Sequence, residues 1–199
     1  MKVGGVQKFS LIDYPGRFSC VVFTQGCDFR CPWCHNPELV YPHLFKDTIS
    51  ESHIINFLSS RRSKLEAVVI TGGEPTVQPD LVEFVETVKR MGFLVKLDTN
   101  GSNPDILEDL LKSKLIDYVA MDIKAPPEKY SLLTGVDVDI RTIFRSIDVI
   151  ERLAQAYEFR TTFVPSLLSE DDICKIKRMI KDESRYRVQQ YRYPRSKRR

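Results

Sequence analysis

Short runs rich in Val, Ile, Phe and Tyr return along this 199-residue chain about every 25 to 35 residues, each followed by a helical pattern. This alternation restricts the fold more than any other feature. The runs are 18-FSCVVFT-24, 66-EAVVIT-71, 93-FLVKLDT-99, 117-DYVAMDI-123, 158-EFRTTFV-164 and a weaker 186-YRVQQYR-192. Their composition suits strands buried in a parallel sheet. Between them, residues 79–91 set Leu81, Val82, Phe84, Val85 and Val88 on one side, with Gly92 as a stop. Asn103 and Pro104 read as an N-cap and a first-turn proline, and Ser169 with Asp172 as a capping box. Residues 140–154 and 50–62 carry similar apolar stripes. Alternating strands and helices make parallel βαβ units with right-handed crossovers. Six strands are too few for a closed eight-strand barrel, so a partial barrel or an open sheet is expected, as one domain over 1–199. In such sheets chemistry collects at the C-terminal ends of the strands.

Those ends hold the polar and glycine-rich groups. The stretches 24-TQGCDFRCPWCHNP-37, 71-TGGEP-75, 97-LDTNG-101, 121-MDIKAPP-127 and 162-TFVPS-166 each stand at the end of a run. The first places Cys27, Cys31 and Cys34, three of the five cysteines, within eight residues as C-x3-C-x2-C. Three thiols are too few for a closed structural metal site and an odd number for disulfides. A zinc ion held with His35 is one reading, weakened because Cys34 and His35 are adjacent and tend to point apart. An iron–sulfur cluster is the other; such clusters are normally held by four thiolates, so three would leave one iron open. The spacing favours the cluster. Cys20, inside the first run, reads as a small buried hydrophobe, and Cys174 has no cysteine partner near it in sequence.

The C-x3-C-x2-C spacing with Trp33 before the last cysteine, followed downstream by 72-GGEP-75, resembles the radical S-adenosylmethionine (SAM) enzymes. The stretches 12-IDYPG-16, 22-VFTQGC-27, 34-CHNPEL-39, 72-GGEPTVQP-79, 98-DTNG-101 and 122-DIK-124 look like the activating enzymes of glycyl-radical proteins. The opening GGVQKFSLIDYPG and 188-VQQYR-192 are most similar to anaerobic ribonucleoside-triphosphate reductase activating proteins. The resemblance implies that Cys27, Cys31 and Cys34 hold three irons of a [4Fe–4S] cluster while SAM chelates the fourth. One electron then cleaves SAM to methionine and a 5′-deoxyadenosyl radical, which takes a hydrogen atom from a glycine Cα of the partner. It implies that Gly72 and Gly73 let the backbone approach the ligand and that Glu74 accepts from its ammonium group. Trp33 would pack on the adenine or serve as core, and His35 would lend its backbone or be structural. Asp98 and Asp122 would sit beside a monovalent cation, and the segment holding Asp122 and Lys124 would contact the nucleoside; from the residues alone, a buried ion pair is the alternative. Asp13 would meet the substrate loop or simply form its turn.

The rest of the sequence narrows the setting. Hydrophobic residues make up 42% and charged residues 29%, ordinary for a globular protein. The net charge is +3, but residues 185–199 hold seven Arg or Lys and no acid, which leaves −4 for residues 1–184. An acidic body does not fit a nucleic-acid-binding face, so no nucleic acid is expected. The basic tail, about 193–199, reads as a solvated end or a contact for an acidic partner surface. With no apolar run near the 18 residues of a membrane span and no signal peptide, no membrane is expected and the cytoplasm is the expected location. The resemblance further implies a glycyl-radical enzyme as partner, above all the anaerobic ribonucleotide reductase. With no second cysteine cluster or ferredoxin-like insert, a flavodoxin or ferredoxin would donate electrons. The expected fold is α/β, a (β/α)6 partial TIM barrel with a parallel sheet, whose open side admits a peptide loop. Its rivals are a radical SAM enzyme acting on a small molecule or peptide, and a zinc-binding interaction module.

Overall fold

A computed structural model describes residues 1–192; the basic tail of residues 193–199 lies outside the described residues. Seven strands form one sheet in chain order. They are β1 (Val3–Ser10), β2 (Ser19–Thr24), β3 (Ala67–Gly72), β4 (Leu94–Thr99), β5 (Tyr118–Asp122), β6 (Tyr157–Phe163) and β7 (Tyr186–Gln190). Every pairing from β2 to β7 is parallel, so the six expected runs are the six parallel strands. β1 is an addition. It lies antiparallel to β2, with Val3 opposite Thr24 and Ser10 opposite Ser19. Its sequence, VGGVQKFS, has two glycines and little alternation, so no strand pattern marks it.

The helices are α1 (Glu51–Ser59), α2 (Leu81–Arg90), α3 (Pro104–Lys112), α4 (Tyr130–Thr134), α5 (Ile140–Leu153) and α6 (Glu170–Lys177). Each parallel strand except the last is followed by at least one of them. The described residues form the expected partial barrel, with six parallel strands joined by five crossovers. The expected capping box is present: Asp172 Oδ2 accepts from Ser169 N at 2.8 Å and Ser169 Oγ from Asp172 N at 3.2 Å. Asn103 differs from expectation. It stands at the N-cap of α3 without a capping side-chain bond, and its Nδ2 donates instead to Thr76 Oγ1 at 3.1 Å.

Successive side chains of a strand point to opposite faces, and the two faces of this sheet differ. Cys20, Val22, Val68, Ile70, Val95, Leu97, Val119, Met121 and Phe159 join the helices in the main core. The concave face carries a smaller apolar cluster of Val21, Ala67 and Val69 with Phe23 and Leu94 against it, where buried Tyr14 packs and its ring lies 5.8 Å from that of Tyr118. Farther along the sheet that face carries Lys96 and Asp98 of β4, Asp122 of β5, and Glu158 and Arg160 of β6. The strands are therefore not apolar on both sides as their composition indicated. Tyr14 comes from the turn after β1, at the N-terminal end of β2 and away from the cysteine loop. Asp13 in that turn accepts from the Ser10 hydroxyl, and its N–H donates to Ser10 Oγ at 3.2 Å, so it forms the turn at the end opposite the loop.

Tyr14→Ala empties a packed position and is expected to lower the unfolding free energy in urea by about 3 kcal/mol. Ile12→Ala, at a side chain 88% exposed, is expected to change it by less than about 0.5 kcal/mol. Equal losses would contradict the packing role of Tyr14.

Candidate active site

Past β2 the chain turns at Gly26, whose φ of +112° lies in the region glycine favours. A Cβ on Gly73 would stand 2.0 Å from the Gly26 carbonyl oxygen, and one on Gly72, at φ +118°, would stand 2.4 Å from Thr24 N. Neither fits. In this structure the glycine pair makes room for the chain's own backbone. Gly73 N donates to Thr24 O at 2.9 Å and Glu74 N to Gly26 O at 2.8 Å, so the ends of β2 and β3 are tied together. The cysteine loop that follows has no regular structure. Arg30 N donates to Thr134 O at 2.7 Å, docking the loop on α4, while the Arg30 guanidinium donates to Phe29 O at 2.8 Å. Phe29 packs edge-on against buried Tyr130, centroids 6.4 Å apart.

All eleven residues expected at the site line one cavity: Cys27, Cys31, Trp33, Cys34, His35, Gly72, Gly73, Glu74, Asp98, Asp122 and Lys124. The space it encloses, solvent at the open mouth included, is about 810 Å³. Burial pushes the Cys27 thiol up to about 12 and raises those of Cys31 and Cys34. These thiols therefore stay protonated until a metal takes them, and loading the site releases protons. Phe29 N at 3.4 Å and Asn100 Nδ2 at 3.9 Å donate to Cys27 Sγ.

Glu74 is fully buried, and its carboxylate is built into the site's frame. Oε1 accepts from Thr76 N at 3.1 Å, Thr76 Oγ1 at 2.6 Å and Thr99 Oγ1 at 2.8 Å; Oε2 accepts from Asn100 N at 2.6 Å. A carboxylate has about four acceptor positions, so spare capacity for a ligand's ammonium group remains on Oε2 alone. Burial outweighs these donors and raises its pKa to about 7. Asn100 closes the ring by donating from Nδ2 to Asp28 Oδ1 at 2.9 Å, back in the cysteine loop.

The charged residues form a line of alternating sign. Lys96 Nζ, 3% exposed, lies 2.8 Å from Asp98 Oδ1. Arg160 spans Asp98 at 3.5 Å and Asp122 at 2.9 Å, and Lys124 Nζ lies 3.0 Å from Asp122 Oδ2. Both aspartates are thus paired with the chain's own cations, while Asp98 Oδ1 is buried and accepts no hydrogen bond among the described residues. Burial opposes the charge on Asp122, but Arg160 and Lys124 hold its carboxyl below the ordinary range. Lys124 also sits over the Trp33 ring, 5.4 Å from its centroid. Trp33 is buried with Nε1 unpartnered among the described residues. His35 is exposed, stacked on Tyr191 at 4.8 Å, with Nε2 3.1 Å from Arg192 O. Arg160 and Asn100 were missed by sequence reasoning. A lone arginine inside 158-EFRTTFV-164 was the available signal for the first, and the polar end of 98-DTNG-101 for the second.

A model of the radical SAM superfamily matches residues 21–182. The chain belongs to the radical SAM superfamily. This radical SAM chain is also 40% identical over 195 residues to a Methanocaldococcus jannaschii protein assigned to the glycyl-radical enzyme activating enzymes, covering 95% of this chain and 79% of the other. It is 28% identical to the pyruvate formate-lyase-activating enzyme of Clostridium pasteurianum, over 91% of this chain and 76% of that one. Its fold is similar to a solved structure of native anSMEcpe with bound AdoMet, with a TM-score of 0.67 and 15% identity over 86% of this chain and half of that one. It is an enzyme of the radical SAM class, related to glycyl-radical enzyme activating enzymes, and the reading as a zinc-binding interaction module is set aside.

The superfamily uses a [4Fe–4S] cluster and SAM, and the residues present fit both. Three thiols share one cavity, Cys20 is buried in β2 and Cys174 is exposed on α6. Among the described residues, no three His, Cys, Asp or Glu side chains gather closely enough to hold one metal ion. Three thiols fall one short of the four ligands of a structural zinc site and suit three corners of a cluster.

Because the Glu74 pKa is raised, its ionisation destabilises the ligand-free fold as pH climbs from about 4.5 to about 7. The loss amounts to about 3 kcal/mol for a shift of that size. Glu74→Gln is expected to remove that part of the pH slope, read by urea unfolding at pH 5, 6 and 7. An unchanged slope would place the titrating group elsewhere.

Proposed function

We propose that this chain activates a glycyl-radical enzyme, with the anaerobic ribonucleotide reductase as its partner. The activase relatives support the reaction class, and the opening GGVQKFSLIDYPG with 188-VQQYR-192 supports the partner. One observation carries the reading furthest: three thiols line a cavity at the C-terminal end of a sheet whose edge strands, β1 and β7, do not pair. That open side gives a backbone loop of a protein substrate a way to the cavity. Cys27, Cys31 and Cys34 would hold a cluster that, with SAM, would supply one-electron reductive chemistry converting SAM and a glycine Cα–H to methionine, 5′-deoxyadenosine and the glycyl radical.

The chain's residues bind, orient and shield. Cys27, Cys31 and Cys34 hold the cluster, and the donors on Cys27 Sγ tune its potential, which such bonds do. Glu74, with Gly72 and Gly73, shapes the wall that receives the amino acid part of SAM. Lys124 and Arg160 present cations to its carboxylate, and Asp98 and Asp122 keep those cations in place. Trp33 and Phe29 keep water from the thiols, and His35 fixes the rim beside Cys34. A flavodoxin or ferredoxin delivers the electron in the cytoplasm to this single-domain enzyme. Among the described residues, no helix is long and apolar enough to cross a membrane.

The test is anaerobic purification with iron and sulfide, a strong reductant, SAM and the reductase, read as 5′-deoxyadenosine and as the glycyl-radical doublet by electron paramagnetic resonance. Cleavage stimulated by a metabolite, with no doublet, would favour a small-molecule radical SAM enzyme. Cys31→Ala is expected to stay folded by circular dichroism and to abolish cleavage, since two thiolates do not retain the cluster. Turnover in that variant would overturn the assignment.

A further inference from the structure

The end of the barrel away from the cysteines carries features that the site does not use. Of the ten large apolar side chains exposed among the described residues, four lie there: Phe9 at 51%, Leu11 at 61%, Ile12 at 88% and Phe18 at 49%. Phe9 and Phe18 touch, centroids 5.7 Å apart. Beside them Lys8, Phe9, Phe57, Arg61, Lys64 and Leu65 line a groove of about 590 Å³ with no acid in its wall. Lys8 Nζ and the Arg61 guanidinium flank the Phe57 ring at 5.8 and 5.7 Å. Neither they nor Lys64 enter an ion pair among the described residues. The nearby acids are engaged, Glu66 with Arg17 at 2.7 Å and Asp13 with the Ser10 hydroxyl. Contiguous exposed apolar surface edged by unpaired cations marks an interaction face.

We propose that this face docks an acidic, apolar-centred surface of the glycyl-radical partner, a second contact remote from the cavity. The proposal rests on the function proposed above. Charge complementarity selects the occupant. A second copy meeting the same face across a two-fold axis would set cations against cations. A bilayer could take the protruding Leu11 and Ile12 but would leave the Phe57 groove unfilled, whereas a protein segment fills it. Such a contact raises the rate and specificity of encounter and weakens with salt.

The test uses the purified anaerobic reductase and the triple variant Lys8→Glu, Arg61→Glu, Lys64→Glu, with the cluster loaded in each. The KM for the reductase is expected to rise about tenfold at low salt. Partner-free cleavage of SAM stays at the wild-type rate, and Lys8→Arg with Lys64→Arg keeps the wild-type KM. An unchanged KM in the charge-reversal variant overturns the proposal. So does loss of a wild-type dimer, or loss of binding to phosphatidylserine vesicles, with KM unmoved; these would assign the face to a second copy or to a membrane. If the wild-type chain cleaves SAM but leaves no doublet on the reductase, the functional reading fails, and this proposal with it.

Discussion

The cavity depends on the contact between Gly26 and Gly73. With 2.0 Å between a notional Gly73 Cβ and the Gly26 oxygen, only glycine lets the end of β3 close on the turn after β2. That approach delivers Glu74 to the interior, where its carboxylate fixes Thr99 and Asn100 at the end of β4. Asn100 then reaches back to Asp28 and Cys27. Three strand ends and one irregular loop are thereby joined in a ring. A loop without regular structure holds its thiols in place because other elements determine its shape, as pre-organised sites require.

The second constraint is electrostatic. The concave face buries Lys96 and half-buries Asp98, Arg160 and Asp122, and leaving any one without a partner there would be costly. Alternating signs across β4, β5 and β6 offset that cost, and Arg160 is the link because it reaches both aspartates. The line runs from the closed floor near Tyr118, over whose ring Lys96 lies, to Lys124 on the cavity wall. A charged interior suits a barrel that holds a zwitterionic ligand at its mouth. The apolar plug around Tyr14 seals the other end.

Much of this was legible in the sequence because local chemistry and tertiary role agreed. Six parallel strands and the capping box at Ser169 followed from runs and caps, and the eleven cavity residues from the groups just past each strand together with the family resemblance they carry. What escaped reading depends on contacts distant in sequence. β1 is a strand only because β2 offers it an edge. Asn103 turns from its helix to Thr76, and Arg160 reads as one polar residue in a strand until the register sets it opposite Asp122. Gly72 also meets the backbone of Thr24, and Glu74 fixes Thr76, Thr99 and Asn100, contacts that no motif displays. A motif shows that a position is special, and only packing shows whether a ligand or the chain makes it so.

The central claim is that three thiols hold a cluster whose remaining iron takes its ligand from SAM. Electron–nuclear double resonance on the reduced cluster, with SAM labelled by 15N at the amino group or 17O at the carboxylate, tests this directly. The account predicts hyperfine coupling from both labels in a preparation with four irons per chain. A bound cluster that shows no coupling with SAM present, or a fourth ligand traced to a protein side chain, would contradict it.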